Sequence, residues 1–146
     1  MSSKPETTFI ASVHRHLTDV YHEKMHNPYR GGTPDVWYSG DRGDLWVEYK
    51  YIPTIPKRAE LKPALSKLQA EWLAGRRTEG RNMAVVVGCP EGCVVYTRGN
   101  WMRPLSPDEF RASLITRKQM ADWIREDTGV SSAELNKRSG SKRAGK

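Results

Sequence analysis

Gly31-Gly32-Thr33-Pro34-Asp35 is followed, thirteen residues after the aspartate, by Glu48-Tyr49-Lys50. The spacing sets one carboxylate, then a second, then a lysine on two short apolar runs joined by a turn. Two carboxylates brought together are costly unless something cationic lies between them. A divalent metal ion is the usual solution, and phosphate chemistry its usual use.

The elements that must position these groups follow from composition. Asp35-Val-Trp-Tyr-Ser39 and Leu45-Trp-Val-Glu-Tyr-Lys-Tyr51 are rich in β-branched and aromatic residues, as strands are. Gly40-Asp-Arg-Gly-Asp44 between them has turn composition. A hairpin is predicted, with Glu48 and Lys50 on one face and Tyr49 on the other. Pairing near its open end sets Asp35 beside Glu48, with the backbone carbonyl of Tyr49 as a further oxygen ligand. Lys50 then lies one strand step from the ion, where it can orient a water or offset developing charge. An aspartate before a strand and a Glu-x-Lys strand face are each commonplace alone. Their order behind Gly-Gly-Thr-Pro is what favours a functional site.

These residues resemble the signature of the PD-(D/E)XK nucleases, and more closely the virus-type replication-repair nuclease (VRR-NUC) and Holliday junction resolvase families. The resemblance includes an Arg-Gly-Gly-x-Pro-Asp approach, Arg30 to Asp35, and a later helix carrying Leu65-Ser-Lys-Leu-Gln-Ala-Glu-Trp-Leu73. It runs from about Glu6 to Tyr96 and departs at a long insert, Ile52 to Lys62, which puts substrate geometry in doubt more than chemistry. It implies a restriction-endonuclease-like α/β core, a mixed central β-sheet flanked by helices. It implies Mg²⁺ as cofactor, with Mn²⁺ as substitute, and DNA as partner. Asp35, Glu48 and Lys50 become the catalytic set. Gln69 resembles a glutamine that supports the site or faces DNA. An acidic residue of the first helix would complete the metal site; Glu6 is the best match, Glu23 the fallback, and a plain helix-terminus role for Glu6 stands equally. Junction resolvases cut symmetrically as dimers, so a homodimer is expected if this chain is one. The C-terminal region faintly resembles the helical end of phage endonuclease I-type resolvases.

Charge is distributed to suit. The net charge is +7. Residues 1–49 hold five basic against seven acidic side chains, residues 50–81 eight against three, and residues 136–146 five against none. Acidity gathers at the predicted metal site, and basicity in the insert, the following helix and the tail, where phosphates would be met. Arg30, Lys57, Arg58, Lys62 and Lys67 are the candidate DNA contacts, against the plainer reading of a solvated face.

At 146 residues one domain is expected, residues 1–130, followed by a basic disordered tail, 131–146. No apolar run is long enough to cross a membrane, there is no signal-peptide pattern, and two cysteines fit a reducing compartment. A cytoplasmic protein is expected, in a host's cytoplasm if viral, with no small-molecule cofactor. Cys89 and Cys93 read as loop thiols rather than zinc ligands, since a structural site needs four.

His22-Glu-Lys-Met-His26 matches the zinc-protease pattern His-Glu-x-x-His. Lys24, the interrupting Asn27-Pro28 and the want of a third ligand argue against it. A nuclease fold retained only for DNA binding is the other alternative, opposed by the intact Asp35, Glu48 and Lys50. His14 and His16 read as helix-surface residues. Trp37, Tyr38, Trp46, Tyr49 and Tyr51 read as core packing before base stacking. The predicted order is a helix over 6–26 (from Phe9, Ile10, Val13, Leu17 and Tyr21 at three-four spacing), the hairpin, a crossing helix near 63–78, strands near 82–88 and 93–97, and two C-terminal helices opened by Ser106-Pro107 and Thr116.

Overall fold

The structure, a computed structural model, describes residues 3–26 and 31–129. Arg30 and the tail therefore lie outside the described residues. A five-stranded mixed sheet runs in the order β1 (Tyr21–Lys24), β2 (Val36–Gly40), β3 (Gly43–Tyr51), β4 (Met83–Cys89), β5 (Gly92–Thr97). Neighbours are antiparallel except β3 and β4, which are parallel and joined through helix α2 (Lys67–Thr78). Helices α1 (Lys4–His14) and α4 (Arg117–Thr128) cover one face of the sheet, while α2, α3 (Pro107–Ala112) and the insert cover the other. This is the α/β architecture expected, a mixed sheet flanked by helices.

Two apolar layers hold it. Phe9, Ile10 and Val13 of α1 and Met120, Ala121 and Ile124 of α4 meet Val36, Tyr38, Val47 and Tyr49. On the opposite face Leu73 of α2, Phe110 of α3, Trp101 and the insert residues Ile55 and Leu61 pack on Met83, Val85 and Val87. Every residue of β4 is buried, which is why it reads as an unbroken apolar run. The hairpin turns at Asp41-Arg42, so β3 begins at Gly43, earlier than its apolar run suggests.

The first helix is shorter than predicted. It ends at His14; Leu17 is buried in the turn that follows, and Tyr21–Lys24 forms edge strand β1 against β2. Tyr21, assigned to the helix face, is 56% exposed and packs edge-on against Trp37. Pairing with β2 overrides a helical spacing that Leu17 and Tyr21 continue only by coincidence. The zinc-protease motif loses its helix with this change. On a strand His22 and Glu23 point to opposite faces, and residues four apart are separated by about 13 Å.

His14 is not a surface residue either. It is half-buried, stacks on His22, and its Nε2 lies 2.8 Å from the Tyr38 hydroxyl, which is 2.6 Å from that of Tyr49. Burial holds His14 down to about 4 and pushes both tyrosines up, so the row stays neutral and mutually satisfied inside the core. Trp37 and Trp46 are half-buried and stacked, with Trp46 against Trp72 of α2. Cys89 and Cys93 are free, buried strand residues rather than loop thiols. Among the described residues no helix is long and apolar enough to cross a membrane.

Candidate active site

The hairpin register carries Asp35 to Glu48. Val36 opposes Val47, so the next step outward sets Asp35 at the end of β2 against Glu48 on β3. There Asp35 replaces a strand neighbour: its Oδ2 accepts the Tyr49 backbone N–H at 2.8 Å. A strand residue turns its N–H and C=O to the same edge, so the Tyr49 carbonyl faces this side as well. The tyrosine ring points the other way, into the core.

Glu48 is 2% exposed, a carboxyl set almost wholly out of water. Its Oε2 accepts Gln69 Nε2 at 3.0 Å and lies 3.5 Å from Lys50 Nζ. Its Oε1 is buried and receives no hydrogen bond from any described residue. Burial, then the neighbouring Asp35 charge, pushes the Glu48 carboxyl up to about 8, against the opposing pull of Lys50. At neutral pH Glu48 therefore keeps its proton. A cation could replace that proton, and the donors present (two carboxylates and a carbonyl) are the hard oxygens that Mg²⁺ and Mn²⁺ prefer. The residues fit a divalent ion.

Helix α2 fixes the lysine. Ser66 and Gln69 form a reciprocal capping box: Gln69 N–H bonds Ser66 Oγ at 3.1 Å and Ser66 N–H bonds Gln69 Oε1 at 2.9 Å. The same Oε1 accepts Lys50 Nζ at 3.0 Å. Gln69 thus bridges Glu48 and Lys50 while locking the first turn of the helix. The capping is legible in the spacing Ser66-x-x-Gln69; the bridge depends on where α2 lands. Trp72 and Leu73 supply its packing on the sheet. Gly32 explains the glycine pair ahead of Asp35. Its φ is +95°, and a Cβ there would lie 2.5 Å from the Leu68 carbonyl oxygen, so a larger residue would push this loop off α2.

Gln69→Ala is expected to cost about 1 kcal/mol through the lost cap and to lower activity about 10–100-fold by freeing Lys50. Gln69→Glu keeps a capping side chain but loses the amide donor to Glu48. It also sets a third carboxyl against buried Glu48, so it should restore neither the melting temperature nor the turnover; thermal melts alongside kinetics check both.

The remaining candidates are more dispersed. Glu6 sits at the third position of α1 and lines a cavity with Lys50. Among the described residues no group of three His, Cys, Asp or Glu side chains gathers, so Glu6 does not form a cluster with Asp35 and Glu48. Glu23 is exposed on β1 and accepts the Tyr21 hydroxyl. Lys57, Arg58, Lys62 and Lys67 are all exposed, Lys62 at the cavity and Lys67 in a loose pair with Glu71 at 4.0 Å. Sequence reasoning missed the cavity itself and Tyr96 on its wall, for which a strand residue in an apolar run gives no signal.

No protein-family model matches this chain, and no curated protein does. Among solved structures it is similar to Hjc, a Holliday junction resolvase from the hyperthermophilic archaeon Archaeoglobus fulgidus. The two share 12% identity and a TM-score of 0.48, over 80% of this chain and 99% of that one.

Proposed function

We propose that this chain is a divalent-metal-dependent deoxyribonuclease of the PD-(D/E)XK type, acting on branched DNA. The observation that carries the reading is the buried Glu48 carboxyl set against Asp35 by the hairpin register, with Lys50 held 3.5 Å from the same carboxyl. Motif order supports it: Pro34-Asp35, Glu48-x-Lys50 and the Gln69 helix occur in the sequence of the resembled families and meet at one place in the fold.

Asp35 and Glu48 would hold Mg²⁺, with the Tyr49 carbonyl as a third oxygen. When bound, the ion supplies Lewis-acid stabilisation of a phosphoryl oxygen and a more acidic water. Lys50, tethered by Gln69, keeps its ammonium beside the Glu48 carboxyl. There it orients the attacking water and offsets charge building on the phosphate. Burial of Glu48 makes these interactions stronger than in water. Exposed Lys57, Arg58 and Lys62 beyond the site provide sequence-independent phosphate contacts.

The test is Mg²⁺-dependent cleavage of a four-way junction, a flap and a linear duplex of shared sequence, with light scattering for oligomeric state. Preferential junction cleavage by a dimer fits the resolvase form. A monomer that trims flaps leaves the chemistry and removes that form. Tight DNA binding without any cleavage removes the nuclease reading in favour of a binding module.

A further inference from the structure

The strongest feature outside the carboxylate pair is a cavity of about 310 Å³ that adjoins it through Lys50. Ile52, Leu61, Pro63 and Val87 give it apolar walls. Ile52 and Leu61 come from the insert that departs from the resembled pattern. The insert is fastened there: Ile52 N–H bonds Gly88 O at 2.9 Å, and Leu61 exchanges backbone hydrogen bonds with Leu105 at 2.7 and 2.8 Å.

The polar groups are few and differ in kind. Lys50 and Lys62 bring positive charge, and Glu6 brings an acceptor. Tyr96, which also lines the cavity, is only 4% exposed, yet its hydroxyl has no hydrogen-bond partner among the described residues. The hydroxyl is closed off as the wall stands, so a ligand meets it only by a small shift of that wall, and the hydrogen bond gained would favour that shift. A bare phosphate would not suit the apolar walls and Glu6. A hydrocarbon would offer nothing to Lys62, Glu6 or Tyr96. A flat heterocycle with edge donors and acceptors, carried on a phosphate chain, answers all of them. The volume lies at the low end for a small-molecule site, room for one base and not a pair.

We infer that this cavity receives a single unpaired nucleobase next to the scissile phosphate, making an unpaired nucleotide at the cut the determinant of substrate choice. The inference rests on the nuclease reading for its link to cleavage, and on the cavity alone for binding. A base can enter only after leaving the helical stack, so bulges, flaps and junction centres are favoured over continuous duplex.

The experiment uses a duplex with a short single-stranded gap, carrying 2-aminopurine at each gap position in turn, bound by full-length protein in the Asp35→Asn background so that it stays uncut. One position is expected to change its emission on binding. Ala64→Trp, at an exposed residue on the cavity rim, should abolish that change. Tyr96→Phe, which keeps the volume, should reduce discrimination among bases at that position without lowering the melting temperature. In protein with Asp35 intact, an abasic nucleotide there should slow cleavage about tenfold, and Ala64→Trp should erase the difference. Emission unaffected at every position, or a change that persists in Ala64→Trp, overturns the inference. Cleavage that needs Asp35 and Glu48 but ignores the abasic site overturns this inference and leaves the nuclease intact. The full emission response without any cleavage by the Asp35-intact protein overturns the nuclease and leaves the base site.

Discussion

Asp35→Asn and Glu48→Gln are each expected to lower Mg²⁺-dependent DNA cleavage by about a thousandfold or more, with DNA binding retained. Asp35→Asn removes the carboxylate at the end of β2, Glu48→Gln removes the carboxyl that would give up its proton to hold the ion, and neither alters side-chain volume much. Asp35 has a second task, since it accepts the Tyr49 N–H. An asparagine there can keep that bond through its carbonyl oxygen, so loss of activity with an unchanged melting temperature isolates the charge. Lys50→Ala should cost about 10²–10³-fold, because the hydrogen bond from Lys50 to Gln69 fixes a cation beside the Glu48 carboxyl. Single-turnover cleavage at saturating protein measures all three. Cleavage surviving both carboxylate substitutions would mean that the chemistry lies elsewhere on the chain.

The same carboxyl that is needed for cleavage should weaken the metal-free fold. In the unfolded chain Glu48 ionises near 4.5; in the fold, burial and Asp35 hold its proton to about 8. Between these values the folded state binds more protons, so its extra stability is complete below pH 4.5 and lost as pH rises through 8. The shift corresponds to about 2–5 kcal/mol of lost stability over that window. Glu48→Gln removes the titration and offers Asp35 an amide donor. In EDTA at pH 8.5 the variant should be the more stable protein, and the difference should close towards pH 4.5. Denaturant titrations across this range measure it. A wild-type curve that runs parallel to the Glu48→Gln curve at every pH would show that Glu48 ionises normally.

Much of the site was legible because it is local. Turn chemistry at Gly40 to Asp44 and two strand-like runs fix a hairpin, and a hairpin of that length sets Asp35 opposite Glu48. Ser66-x-x-Gln69 announces a helix start, though the helix opens at Lys67 rather than near residue 63 because the capping box decides it. What depends on long-range packing was not legible. Leu17 is buried with or without a helix around it, so its spacing could not show that α1 stops at His14 and that Tyr21–Lys24 pairs with β2. His14 gains its buried partner, Tyr38, from a strand 24 residues away. The Gln69 bridge needs α2 laid across β3. The insert's Ile55 and Leu61 bury themselves, and Leu61 walls a cavity beside Lys50, which no local spacing announces.

On this mechanism a divalent ion takes the place of the proton that Glu48 holds beside Asp35. Calorimetric titration of Mn²⁺ into the DNA-free protein at pH 7, in two buffers of different ionisation enthalpy, tests it most directly. The predicted result is saturable binding that releases about one proton per site, with affinity rising about tenfold per pH unit up to pH 8, and no such binding by Asp35→Asn. Mn²⁺ binding that releases no proton, or that Asp35→Asn and Glu48→Gln leave unchanged, would mean that this carboxyl pair does not hold the ion.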